Sequence, residues 1–199
     1  MANEGQTRQN AGLDGLIEVT REFARRGPAP VHLWNPPFCG DLDMRIASDG
    51  TWFYLGTPIG RPGLVKLFAS VLKREGDSYF LVTPIEKVGI RVDDSAFIAV
   101  EMTVEGEGDA AVLRFRTNTD DWVTCDAAHG LRFERSAADG FIPYLHVRSD
   151  LWAKVTRPIY YDLVDRAGER MIDGKAMLGV TSSGAYFPIA TVAEAEQGL

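Results

Sequence analysis

The sequence predicts an α+β chain of two packed subdomains made by duplication of one hairpin–helix unit. Three observations predict it. Apolar residues alternate through the middle of the chain, they recur at helical spacing in three other stretches, and two segments repeat one ordered pattern. With 199 residues, 45% of them hydrophobic and 25% charged, the chain can bury a sizeable core without disulfide or metal support.

Leu13, Leu16, Ile17 and Phe23 form a helical stripe over residues 12–26, which Arg25, Arg26 and Gly27 end. Pro28, Pro30, Pro36 and Pro37 mark an extended connector. Residues 43–48 and 51–55 read as strands around Asp49-Gly50, a dipeptide that accepts the positive φ values of a tight turn. A Gly-rich loop over 56–63 precedes a helix, where Leu64, Val65, Leu67, Phe68, Val71 and Leu72 share a face and Pro62 suits the first turn. Strands are expected over 79–83, 87–93, 98–104, 112–117, 122–125, 131–134 and 141–147. A second helix is expected from Ser149, with Leu151, Trp152 and Val155 on one side, broken or kinked at Pro158 and continued by Ile159, Tyr160, Leu163 and Val164. Short strands over 176–181 and 185–189 close the chain. A split near Pro84 gives parts of 1–84 and 85–199, the second a strand meander plus helix.

The repeat pairs Met44-Arg45-Ile46, Asp49-Gly50, Tyr54-Leu55 and Arg61 with Leu131-Arg132-Phe133, Asp139-Gly140, Tyr144-Leu145 and Arg148. Each segment reads as strand, turn, strand, arginine, helix, and the copies lie roughly 90 residues apart. Chance similarity between two Asp-Gly hairpins is the competing explanation. Two such copies could pack about a pseudo-two-fold axis and line one cleft twice.

A net charge of −7, from 21 basic and 28 acidic residues with no basic run, argues against nucleic acid as a partner. Cys39 and Cys125 form no Cys-x-x-Cys pair, which suits a reduced cytoplasmic setting. Residues 1–20 lack a signal-peptide pattern, and no stretch reaches the ~18 apolar residues of a membrane span. His32, His129 and His146 lack metal-ligand spacing, so no metal is expected. No nucleophile elbow occurs, so no catalytic residue and no cofactor are assigned.

Candidate binding residues come from the loops. Arg61 at a helix start adds a charged fork to unpaired N–H groups, an arrangement suited to phosphate or carboxylate; a tight turn with Arg61 paired to an acid is the alternative. Arg148 and Ser149 hold the matching position, where Ser149 could simply cap a helix. Thr83, Glu86 and Lys87 form a polar cluster that is either a ligand contact or a solvated connector. Residues 117–121 could hold a cation but read better as a side-chain-stabilised turn. Tyr54, Tyr144 or Tyr160 could stack on a base. In the pair Tyr160-Tyr161, one ring is expected to pack.

Seven ordered runs resemble the bacterial family called domain of unknown function 1285: Asp43–Ile46 with Asp49–Tyr54, Gly56–Arg61, Leu64–Phe68, Leu81–Lys87, Leu113–Asn118, Pro143–Arg148 and Arg157–Tyr161. The resemblance spans residues 35–164 and brings in the motif arginines Arg45 and Arg157. It implies a duplicated two-part protein whose second part is similar to a pleckstrin-homology-like roll. It also implies a nucleotide-like ligand held between the parts and a role in signal transduction. The combined expectation is a cytoplasmic regulatory protein that binds an anionic small molecule, with no membrane partner. The alternatives are an enzyme acting on a phosphate-bearing small molecule, with Glu86 or Asp43 as base, and a protein-interaction module.

Overall fold

A computed structural model describes residues 15, 17, 18, 20, 29–136 and 140–195. Residues 15, 17, 18 and 20 are helical, while the rest of the helix expected over 12–26 lies outside the described residues, as does Asp139. The chain forms two compact units, Met1–Asp94 and Ser95–Leu199.

In the first unit, Gly50 turns the chain with φ +83°, and the Thr51 N–H donates to the Asp49 carboxylate at 2.9 Å. This turn joins β1 (Phe38–Ile46) to β2 (Trp52–Tyr54), and β3 (Thr57–Pro58) follows. Helix α1 (Pro62–Ser70) places Pro62 in its first turn, where no N–H is needed. Then come β4 (Leu72–Glu75), β5 (Ser78–Val82) and β6 (Lys87–Val92). The sheet runs β3-β2-β1-β6-β5-β4, with β1 and β6 parallel and the other pairs antiparallel. Met44, Ile46, Trp52, Phe68, Leu72 and Leu81 are fully buried, and Trp52 stacks on Phe68 at 6.2 Å. Each contributes about 1.5–3 kcal/mol through apolar burial.

The second unit holds β7 (Phe97–Glu105), β8 (Val112–Thr117), β9 (Trp122–Thr124), β10 (Leu131–Ser136), β11 (Gly140–Arg148) and β12 (Leu151–Val155). Their order is β10-β11-β12-β7-β8-β9, with β12 and β7 parallel. Helix α2 (Arg157–Asp165) follows, then a three-stranded sheet of β13 (Gly168–Ile172), β14 (Lys175–Ser182) and β15 (Ala185–Thr191). The buried Ser182 hydroxyl ties β14 to the larger sheet. It accepts the Leu113 N–H at 2.9 Å and donates to the Cys125 carbonyl at 2.6 Å.

The two six-stranded sheets share one plan. Two three-stranded antiparallel meanders meet where the first strand of one pairs in parallel with the last strand of the other.

Several expectations are corrected. The chain is mostly β, with few helices. No helix begins at Ser149, because residues 151–155 are strand β12, in which buried Leu151, Ala153 and Val155 alternate with half-buried Trp152 and Lys154. Trp152 with Leu151 and Val155 mimics a helical stripe; including Ala153 gives a period of two. Pro158 therefore sits in the first turn of α2 and breaks nothing. Helix α1 ends at Ser70, and Glu75-Gly76-Asp77 turns β4 into β5. Strand β13 adds to the strands that the sequence pattern predicts.

The hairpin–helix match is also displaced. Asp49-Gly50 joins strands one and two of its sheet, whereas Gly140 opens strand five of the other. The division falls at Asp94–Ser95 instead of Pro84, because β6 pairs with both β1 and β5.

Candidate functional site

Side chains on a strand alternate between faces, so the register decides which residues meet. In the first sheet, Met44, Ile46, Trp52 and Leu81 take the buried face. The opposite face receives the next residues along. Arg45 lies opposite Phe53 and Arg91, Gly89 opposite Asp41 and Phe80, and Lys87 opposite Phe38.

Two grooves cover this face. One, of about 440 Å³, is lined by Phe38, Asp41, Phe80, Lys87, Gly89 and Arg91 among others. The second, of about 560 Å³, includes Asp43, Arg45, Phe53 and Arg91 in its lining. Arg91 lines both and makes them neighbours along the sheet.

Cations and rings interleave here. The Arg45 guanidinium lies 4.6 Å from the Phe53 centroid and the Lys87 ammonium 4.8 Å from the Phe80 centroid. Phe38 meets Phe80 edge to face at 6.1 Å. Such cation–ring contacts are worth about 0.5–1 kcal/mol at exposed sites. Carboxylates hold the cations in place. Asp93 lies 2.6 Å from Arg45 and 3.2 Å from Arg91, and Glu75 lies 2.9 Å from Lys73 and 3.0 Å from Lys87. Hydrogen bonds from Lys73 and Lys87 keep the Glu75 carboxyl below its ordinary range.

Of the expected binding residues, Arg45 and Lys87 line these grooves. Tyr54 is half-buried opposite Met44, on the other face. Arg61 is exposed at the N-terminus of α1. Thr83 is buried and closes a turn: its hydroxyl accepts the Glu86 N–H at 3.2 Å, and its own N–H donates to the Glu86 carbonyl at 2.9 Å. Half-buried Glu86 has its carboxyl pushed up by burial, and it is not among the groove-lining residues.

In the second unit, Arg148 ends β11 and enters no helix. Its guanidinium packs 4.9 Å from the Phe97 centroid and 3.9 Å from Asp121. Burial pulls its pKa down, and Asp121 partly opposes this. Ser149 sits in the following turn with φ +48° and caps nothing. Tyr144 is buried beneath Arg132, 5.3 Å away. Arg157 begins α2 beside Tyr160 and Tyr161, at 5.6 and 5.5 Å; Tyr160 is buried and Tyr161 is 55% exposed. Residues 117–121 form a turn in which the Thr117 hydroxyl accepts the Asp121 N–H at 3.1 Å and the Thr119 hydroxyl donates to the Asp121 carboxylate at 3.0 Å.

The structure also gathers residues that spacing did not connect. Phe38, Asp41, Phe53 and Arg91 join the grooves through strand register alone. His129 and His146 stack at 5.5 Å, with Trp152 5.0 Å from His146 and Arg132 4.1 Å from Trp152. The His146 ring lies between the carbonyls of Ala128, at 2.8 Å, and Ser149. No helix among the described residues is long and apolar enough to cross a membrane.

Comparison with curated proteins gives no match. A crystal structure of a DUF1285 family protein from Silicibacter pomeroyi is 50% identical, covers 91% of this chain and 97% of its own, and superposes with a TM-score of 0.82. A DUF1285 family protein from Shewanella baltica is 29% identical, covers 63% of this chain and 92% of its own, and gives a TM-score of 0.50. Residues 29–95 match the family described as "Domain of unknown function (DUF1285), N-terminal domain", and residues 96–189 match "Protein of unknown function (DUF1285), C-terminal domain". The two compact units and their boundary thus coincide with the family's own two parts, and the chain belongs to the DUF1285 family.

Proposed function

We propose that the protein is a regulatory protein that binds an anionic, nucleotide-like small molecule, with a role in signal transduction. The observation that carries this reading is the paired groove on the first sheet, where Arg45, Lys87 and Arg91 share one face with Phe38, Phe53 and Phe80. Cationic forks suit phosphate, and aromatic rings suit a base. The grooves are rich in side chains that bind and poor in groups tuned for proton transfer: the carboxyl raised by burial, Glu86, is not among their lining residues. The shared plan of the two six-stranded sheets supports their origin by duplication. The curled six-stranded sheet of β7–β12 followed by α2 supports a pleckstrin-homology-like roll.

The enzymatic alternative would use Asp43, which lines the second groove, as a base toward a phosphate-bearing substrate. One experiment separates the readings. The native protein is screened against nucleoside mono-, di- and triphosphates by thermal shift, and the same mixtures are analysed for products. Binding without turnover is expected. Each charge-assisted contact is worth about 1.5–3 kcal/mol, so Arg91→Ala should weaken binding about ten-fold or more. Turnover would replace this reading with the enzymatic one. Binding that is unchanged in both Arg45→Ala and Arg91→Ala would remove the grooves from it.

A further inference from the structure

Asp41 differs from Asp93 and Glu75, the ion-paired carboxylates that hold the cations of this face. Asp93 and Glu75 are each held between two cations, whereas the Asp41 carboxylate makes no hydrogen bond or ion pair among the described residues. It is exposed, and its carboxylate lies over the bare backbone of Gly89. A Cβ at Gly89 would overlap the Asp41 Oδ1 and would meet the Phe38 ring at 3.7 Å. The absence of a side chain at residue 89 is thus what lets the carboxylate lie down in the groove. Phe38 and Phe80 flank it there, and Lys87 and Arg91 line the same groove.

A free carboxylate offers two acceptor oxygens and no donor. In a groove with apolar rings beside it and cations around it, it fits a planar ring that carries two adjacent N–H donors and an anionic tail. Among the common nucleobases, guanine meets this description, through N1–H and the N2 amine. Adenine and cytosine place an acceptor nitrogen beside their amine, and uracil flanks its N–H with two carbonyls. Each of these would set a lone pair against the carboxylate.

Resting on the proposed nucleotide-binding function, we infer that Asp41 reads a guanine base, so that the ligand is a guanine nucleotide. Its base packs against Phe38 and Phe80, and its phosphates face Lys87 and Arg91. A site built to pair a ligand's donors rejects analogues that lack them, which makes base choice the readout.

The test uses the full-length protein and isothermal titration with GMP, IMP and AMP. IMP has the ring and N1–H of GMP but lacks the N2 amine. GMP is expected to bind about ten-fold tighter than IMP, and tighter still than AMP. Asp41→Asn should abolish that preference. Gly89→Ala should do the same by displacing the carboxylate, which can swing aside without unfolding the sheet because Asp41 is exposed. If all three nucleotides bind alike, or if both variants keep the preference, the guanine inference fails while the proposed function stands. If none of the three binds, the function it rests on fails with it.

Discussion

The Arg45 guanidinium lies 2.6 Å from the Asp93 carboxylate and ties β1 to the residue just past β6. The same carboxylate lies 3.2 Å from Arg91, so one acid holds the two arginines that line the second groove.

Asp93 is the internal competitor of any anion that binds there. Asp93→Asn removes its charge while keeping an acceptor for Arg45. Affinity for pyrophosphate should rise a few-fold at low salt, in line with about 1 kcal/mol for one exposed charge at close range. The gain should shrink as ionic strength increases. Titration calorimetry at two salt concentrations checks this, and equal affinity for the two proteins would contradict it.

Glu86 gives a stability signal with a defined sign. Burial raises its folded-state pKa above the unfolded value. Between the two values the native state holds more protons than the unfolded chain, so rising pH costs stability across that window. Glu86→Gln removes the penalty. Its Tm should exceed that of the native protein near neutral pH, and the gap should close as pH falls below the ordinary carboxylate range. Melting curves across that range test it, and a lower Tm for Glu86→Gln at neutral pH would refute it.

The two thiols should differ in reactivity. Cys39 is exposed, whereas burial pushes the Cys125 thiol up to about 12. The thiolate is the nucleophile, so Cys125 should stay silent toward a disulfide reagent at mildly alkaline pH until the protein unfolds. Mass spectrometry of the labelled native protein should find the adduct on Cys39. An adduct on Cys125 at a comparable rate would show that the second unit opens readily.

Much of this fold is written locally. The Asp49-Gly50 turn, the start of α1 at Pro62 and the alternation in β6 and β7 all depend on neighbours in sequence, and all are legible there. The errors share a cause. Residues 151–155 carry a pattern that, with Ala153 passed over, fits a helix face, and pairing with β11 and β7 makes them a strand. Leu72 extends the apolar face of α1, yet it belongs to β4 through pairing with Leu81. Propensity yields to tertiary pairing in both places.

The candidate site divides in the same way. From the sequence alone came two of its cations, Arg45 and Lys87, and the membership of seven motifs in one family pattern. Only the tertiary structure put Asp41 over Gly89, Phe53 beneath Arg45, and Arg91 between the two grooves. The physical reason is the parallel pairing of β1 with β6. It joins residues 46 to 49 positions apart, with register shifts that no local periodicity encodes, and so fixes which side chains share a face.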